Sequence, residues 1–395
     1  MAIWFPIIKN AIEKIIVTKY FNYAHFPFTC IYYNNGGVAL TLKSITTDQI
    51  HIPLKKPFVT AVRTTNRLDA VRVAIQTSEN LTGYGEAPAT PLITGETMTS
   101  IQHAITKYIA PAIANRNIHD NIPTIIQSAI YGNNSAKAAV EMAWYDLLAQ
   151  KLKVPLHALI GNAGKQELTN NLTISINSTD KMIYDACTAI SQGFSILKIK
   201  SGLNPKSDLK QLLDLWKGIK EEVDVPNAIR LRIDANQGWT PTQATRIIYE
   251  LENSNLPIDL IEQPVPAWDI DGLAHVQSHT TLPVAADEAV FSPQDAIKII
   301  QKRAAHVINI KLMKTGGIKN ALNICTLCHI YGVECMIGCM MEGYIGAAAA
   351  AHLAASQYVV SRVDIDSPLL LNYSEGVYTN GIEFCDSTIK IGGTV

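Results

Sequence analysis

Between Leu172 and Ile365 the chain repeats one pattern, a short apolar run followed by a longer stretch with apolar positions at helical spacing. The short runs are Leu172–Ile176, Ser195–Lys200, Ile229–Asp234, Leu260–Glu262, Val284–Asp287, Val307–Lys311, Val333–Ile337 and Arg362–Ile365, and each is predicted to be a β-strand. Strands alternating with helices imply right-handed parallel βαβ units. Eight of them within about 200 residues point to a closed βα barrel rather than an open sheet.

The pattern before the barrel is different. Two strand-like runs, Ile45–Pro53 and Ala70–Gln76, flank a polar loop carrying Arg63. Helical patterns follow at Met98–Ile113 and Ser135–Lys151; in the second, Ala136, Ala139, Met142, Ala143 and Leu147 fill one broad apolar face. This half is expected to be a separate α+β lobe.

Composition narrows the class. The 395 residues hold 33 Lys+Arg and 34 Asp+Glu, a net charge of −1, so no global field recruits nucleic acid or an anionic membrane. Hydrophobic residues at 48% and charged residues at 17% suit a large buried core, and no apolar stretch is long enough to span a bilayer. The cysteines are odd in number and scattered, which suits a reducing cytoplasm. Cys325-Thr-Leu-Cys328-His329 matches a haem-attachment pattern, but the surrounding Gly317–Tyr331 segment reads as a packed helix with core cysteines.

Residues 1–37 stand apart, rich in aromatics from Trp4 to Tyr33 and with Glu13 as their sole acid. Lys9, Glu13, Lys14 and Lys19 break the apolar runs that a signal peptide needs. A packed extension, a membrane-surface helix over residues 7–20, and translation beginning near Leu40 are the readings left. An intact Met1 on protein made from the native gene would exclude the last.

The chemistry lies at the strand ends. Lys198, Lys200, Asp234, Glu262, Asp287, Lys311, Asp364 and Asp366 each close or follow an apolar run, and from Lys200 to Lys311 they recur about one βα unit apart. The C-terminal ends of barrel strands converge on one mouth, so these groups are expected to meet. Carboxylates from three successive strands, with lysines on either side, form a cluster that a core does not bury unpaired. Three oxygen ligands without His or Cys favour one Mg²⁺, which binds a substrate carboxylate and offsets the charge of an enediolate. Lys200 and Lys311, on the second and sixth strands, can address opposite faces of one α-carbon, one taking a proton and the other returning it. Lys198 is expected to stay cationic beside Lys200 and to hydrogen-bond the enediolate oxygen.

With these motifs in view, Lys198-Ile-Lys200, Asp234-Ala-Asn-Gln-Gly-Trp239, Ile261-Glu-Gln-Pro264, Ala286-Asp-Glu288 and Ile308-Asn-Ile-Lys-Leu-Met-Lys-Thr-Gly-Gly317, the sequence resembles the enolase superfamily. Within it the resemblance is to the muconate-lactonising subgroup, and most closely to dipeptide epimerases of the L-Ala-D/L-Glu type, over residues 41–390. It implies a (β/α)7β TIM-like barrel over residues 156–366. An α+β capping domain is implied over 40–155, with 367–395 returning to it and 1–39 an extension. It also implies Asp234, Glu262 and Asp287 as Mg²⁺ ligands and Lys200 with Lys311 as the acid/base pair.

Asp364-Ile-Asp366 matches the pair that, in those epimerases, receives the dipeptide's α-ammonium group, and two carboxylates in one pocket do call for a cation. Phe58-Val-Thr-Ala-Val-Arg63 resembles the capping loop whose arginine binds the side chain of a C-terminal Glu, and Thr173 and Ser175 resemble pocket residues. One departure is Gly343, where a relative often carries a hydroxyl residue. The function implied is inversion of the C-terminal α-carbon of a dipeptide from cell-wall peptide, by a cytoplasmic homo-oligomer. The alternative is a lyase of the muconate-lactonising or o-succinylbenzoate-forming kind, which has no use for an ammonium-binding Asp pair.

Overall fold

The computed structural model describes residues 40–161, 163–224, 228–373 and 381–392. The readings made for residues 1–37 therefore lie outside the described residues.

All eight strands expected between Leu172 and Ile365 form. In chain order they are β5 (Leu172–Ile174), β6 (Ile196–Lys200), β7 (Arg230–Asp234), β8 (Ile258–Glu262), β9 (Val284–Ala286), β10 (Val307–Ile310), β11 (Glu334–Gly338) and β12 (Val360–Asp364). They pair in parallel in that sequence, β5 beside β6 through to β11 beside β12. Interior positions such as Leu197, Ile199, Ile233, Ile261 and Ile308 are buried, as strands covered on both faces must be.

The two ends of this sheet, β5 and β12, meet through side chains. The Asn170 carboxamide exchanges two hydrogen bonds with the Ile365 backbone, Nδ2 to O at 2.8 Å and N to Oδ1 at 2.9 Å. That is the pattern a paired strand residue makes with its backbone. Arg232 reinforces the seam from β7, its Nη1 donating to Asn171 Oδ1 at 2.8 Å and Val363 O at 2.7 Å.

Ahead of the barrel, β1 (Leu42–Val59), β2 (Thr64–Thr77) and β3 (Thr82–Pro88) form an antiparallel sheet. The expected runs are the middle of β1 and of β2, and β3 is an addition. Its Thr-Gly-Tyr-Gly-Glu start has no apolar alternation, because Gly85 passes so close to Ala139 O that a Cβ would sit 1.9 Å from it. Helix Asn134–Leu152 covers this sheet, and its residues 135–149 are all buried.

The continuous helix expected over Met98–Ile113 is broken by a π-turn at Ile105–Ile109. Pro111 lacks an N–H and its ring collides with the carbonyl four residues back, so the wider turn relieves that position.

Carboxylates from the capping sheet and its helix tie this lobe to the barrel. Helices Ile318–Tyr331 and Tyr344–Ser356 have no N-terminal side-chain cap of their own. Glu141 instead accepts from Lys319 N at 2.6 Å, and Glu86 on β3 accepts from Gly343 N at 2.5 Å. This accounts for Gly343, where a Cβ would stand 2.6 Å from Glu86 Oε2 and 2.8 Å from Tyr373 Oη.

After β12 the chain touches β1 again, Asn372 N donating to Pro53 O at 2.8 Å. Hairpin β13 (Ile382–Cys385) and β14 (Thr388–Ile391) then pairs with β4 (Glu167–Thr169) in a small sheet of its own. Cys325 and Cys328 are core residues of their helix, as expected.

Candidate active site

Lys198 lies at the centre of the barrel mouth. Its Nζ stands 2.6 Å from Asp364 Oδ2, 2.7 Å from Glu262 Oε2 and 3.1 Å from Asp234 Oδ2. Lys200 Nζ binds the same Asp234 oxygen at 2.6 Å. Across the barrel Asp287 is held by two lysines, Lys311 on Oδ2 at 2.7 Å and Lys314 on Oδ1 at 2.5 Å. These groups arrive together because they lie at or just beyond the C-terminal ends of parallel strands of the same barrel, with Lys200 opposite Asp234 and Asp234 opposite Glu262 in register and Lys314 on the short helix Leu312–Thr315.

The backbone just beyond the strands is strained. Asn236, Gln237 and Gln263 have φ of 41°, 70° and 35°, a region that residues with a Cβ seldom adopt. The strain serves positioning. Asn236 N donates to Asp234 Oδ1 at 2.9 Å, and Gln263 Oε1 accepts from Asp287 N at 2.9 Å. Gly202, with φ of 90°, lies where a Cβ would be 1.9 Å from Ala235 O, which lets the loops after β6 and β7 close on each other.

Burial pushes charged groups toward their neutral forms, and for Lys198, Lys311, Asp234 and Asp287 the neighbours outweigh it. For Lys198 the desolvation is outweighed by Asp364, Glu262 and Asp234, and its ammonium titrates well above the usual lysine value. Lys311 is raised in the same way by Asp287. Burial opposes ionisation of Asp234 and Asp287 too, yet Lys200 with Lys198 holds the first below the usual range, and Lys311 with Lys314 holds the second well below it. Glu262 goes the other way, to about 8, because burial and Asp234 together exceed the help from Lys198.

Among the described residues no three His, Cys, Asp or Glu side chains converge as a ready metal cage, and the Lys198 ammonium lies between the carboxylates instead. The donors nevertheless fit a hard divalent cation. They are all oxygens, and Glu262 Oε2 is buried without a hydrogen bond, the ammonium beside it making only an ion pair.

Above this cluster is a cavity of about 60 Å³ lined by Lys198, Lys200, Asp287, Lys311, Asp364 and Asp366, together with Arg63 and Thr173. Asp234 and Glu262 lie beneath it, fully buried. Ser175 is not part of the lining. Asp366 Oδ2 accepts from Thr173 N at 2.6 Å, and burial beside Asp364 lifts its carboxyl to about 6. Arg63 sits in a turn closed by Thr60 N donating to Arg63 O at 2.9 Å, and it faces Glu288. The Phe58 ring roofs Lys200, with Nζ 5.9 Å from its centroid.

The sequence reading missed several residues. Lys314, Asn309, Asn236 and Glu288 all lie within the quoted motifs, but no role was assigned to them. Lys314 secures Asp287, Asn309 Nδ2 donates to Glu262 Oε1 at 2.8 Å, and Asn236 Nδ2 donates to Glu288 Oε1 at 3.1 Å. Lys314 was the most readable of them, a second lysine one helical turn past Lys311 and beside Gly316-Gly317.

A parallel barrel with an antiparallel cap and paired lysines and carboxylates at its C-terminal mouth is the architecture of an enolase-type enzyme. The sequence matches the "Enolase C-terminal domain-like" family over residues 181–392 and the "Mandelate racemase / muconate lactonizing enzyme, N-terminal domain" family over 43–161. The chain belongs to the mandelate racemase / muconate lactonizing enzyme family of the enolase superfamily.

Among its relatives, an L-Ala-D/L-Glu epimerase of Clostridium acetobutylicum is 45% identical over 86% of this chain and 93% of the relative. A substrate-liganded L-Ala-D/L-Glu epimerase structure from Bacillus subtilis is 41% identical, has a TM-score of 0.84, and is matched over 90% of this chain and 97% of its own. A dipeptide epimerase from Enterococcus faecalis, complexed with Mg and L-Leu-L-Tyr, is 36% identical with a TM-score of 0.81 over 90% and 98%.

Proposed function

We propose that this enzyme is a dipeptide epimerase that inverts the α-carbon of the C-terminal residue, with L-Ala-D/L-Glu as its substrate pair. The observation that carries the reading is the placement of Lys200 and Lys311. They follow the second and sixth of the barrel's strands and line one cavity from opposite sides. A lone base can remove a proton, but inversion needs a donor on the other face as well.

In this mechanism the neutral member of the pair takes the α-proton while the other, as ammonium, delivers one from the opposite side. Lys311 gives up its proton once Asp287 no longer holds its ammonium. Lys198, kept cationic by its carboxylates, hydrogen-bonds the substrate oxygen on which charge accumulates. Asp234, Glu262 and Asp287 would hold one Mg²⁺ per subunit. When bound, that ion supplies electrostatic attraction for the substrate carboxylate and offsets its extra charge.

Asp364 and Asp366 receive the dipeptide's α-ammonium. Asp366 is suited to it, since burial beside a second carboxylate leaves it wanting a cation. Arg63 binds the acidic side chain of the C-terminal residue, and Thr173 fixes Asp366 through its N–H. The enzyme works as a cytoplasmic homo-oligomer on cell-wall peptides. A lyase on the same machinery leaves the Asp364 and Asp366 pair without a task.

Incubation with Mg²⁺ and a dipeptide library in D₂O tests the reading, with α-deuterium read by mass spectrometry. Exchange is expected at the C-terminal residue alone and strongest for Ala-Glu. Exchange confined to hydrophobic or basic dipeptides would displace Ala-Glu, and no exchange on any dipeptide would overturn the epimerase.

A further inference from the structure

A second cavity, of about 490 Å³, opens beside the catalytic one and shares Arg63 and Met341 with it. Its walls are the first half of β2, from Thr64 to Asp69, and the chain just after β3, from Ala89 to Leu92. β3 pairs with β2 as far as Pro88 opposite Ala70 and then turns away, with Ala89 N donating to Asp69 O at 2.8 Å. Alternate residues of a strand direct their backbone groups to the same side, so Arg67, two residues before Asp69, offers N–H and C=O where β3 has ended. Among the described residues no backbone group pairs with Arg67 on the open side.

The charges along this edge are unequal. Asp69 is already matched by Arg67 Nε at 2.8 Å and by His51 Nδ1 at 2.5 Å. Arg67 uses that one nitrogen on Asp69, and its two terminal nitrogens have no partner among the described residues. Arg63 stands where the two cavities join.

We propose that this groove binds a further residue of the substrate, an amino acid amide-linked to the side-chain carboxyl of the C-terminal Glu. The proposal rests on the dipeptide epimerase reading, which puts that side chain at Arg63; once amide-linked, the side chain offers Arg63 its carbonyl oxygen in place of a carboxylate. An extension from there runs into the groove, its peptide group pairs with the open backbone edge at Arg67, and its terminal carboxylate reaches the Arg67 guanidinium. A cationic extension finds only Asp69, which is taken.

The test compares α-deuterium incorporation into L-Ala-D-Glu with that into the same dipeptide bearing glycine on its side-chain carboxyl, for wild type, Arg67→Ala and Arg67→Lys. Both compounds are expected to exchange in wild type. Arg67→Ala is expected to raise KM for the extended compound by roughly tenfold, as loss of a charged hydrogen bond does, with exchange of the plain dipeptide held within about twofold. Arg67→Lys is expected to recover part of that loss. Unaltered dipeptide exchange shows the variants folded. Exchange of the dipeptide but not of the extended compound overturns the groove alone, as does an extended-compound KM indifferent to both substitutions. Failure of both compounds in wild type overturns the epimerase reading and this proposal with it.

Discussion

The buried carboxylates of the barrel mouth and those of the cap–barrel boundary are equally removed from water, yet they carry charge differently. Asp234, Asp287 and Asp364 each have an ammonium within about 3 Å, and all three are held below the usual range against the pull of burial. Glu86 and Glu141 face helix N-termini instead, and burial lifts both to about 7 despite the N–H groups they accept from. A backbone amide satisfies a carboxyl oxygen without reversing the cost of burying its charge, whereas an ammonium reverses it. Glu262 departs from both cases: an ammonium stands 2.7 Å away, yet burial and the neighbouring Asp234 lift it to about 8.

Removing the lysines breaks the comparison most severely. Lys200→Ala and Lys311→Ala are each expected to lower epimerisation by about 10³-fold or more, measured by α-deuterium exchange, while Mg²⁺ binding by calorimetry stays largely intact. Turnover near wild type in either variant removes that lysine from the acid/base pair.

The boundary carboxyls sharpen the comparison through pH. Their folded-state pKa lies above the unfolded value of 4.5, so between 4.5 and about 7 the folded chain holds more protons than the unfolded one. Their stabilising contribution is complete below 4.5 and lost as pH rises through 7, by up to about 3 kcal/mol for each group. Glu86→Gln and Glu141→Gln keep the acceptor oxygen and cannot ionise. Thermal melts from pH 5 to 8 are expected to fall less steeply in each variant than in wild type, and parallel slopes would show that these carboxyls do not titrate there.

Asp366→Asn removes a charge but keeps the oxygen that Thr173 N binds. KM for Ala-Glu is expected to rise by about 10- to 30-fold, with kcat changed less, in steady-state assays. The smallest effect concerns specificity. Arg63→Ala is expected to weaken kcat/KM for Ala-Glu by roughly tenfold and for Ala-Leu by no more than about twofold. Equal losses would place Arg63 outside the side-chain pocket.

The barrel was legible in the sequence because parallel strands covered on both faces read as short apolar runs, and because Lys200, Asp234, Glu262 and Asp287 each close one run. β3 was hidden by Gly83 and Gly85, which pack against helix Asn134–Leu152 through their lack of side chains and leave no alternation to read. The caps made by Glu86 and Glu141 were hidden for another reason. A helix start is recognised by a polar residue beside it, and here the acceptor comes from a different lobe, 178 positions away for Glu141 and 257 for Glu86. Among site residues, those at strand ends could be found by position, whereas Lys314, Asn236 and Gln263 act through contacts that only the closed barrel creates.

The side chains that join β5 to β12 have a consequence for the site. Elsewhere the ring is held by ladders of backbone hydrogen bonds, but here side chains fasten it, Asn170, Asn171, Arg232 and Asp366 each acting as a hook in an eye. Asp364 and Asp366 flank Ile365, so the space between these two carboxyls opens onto the one junction of the ring that no backbone ladder closes.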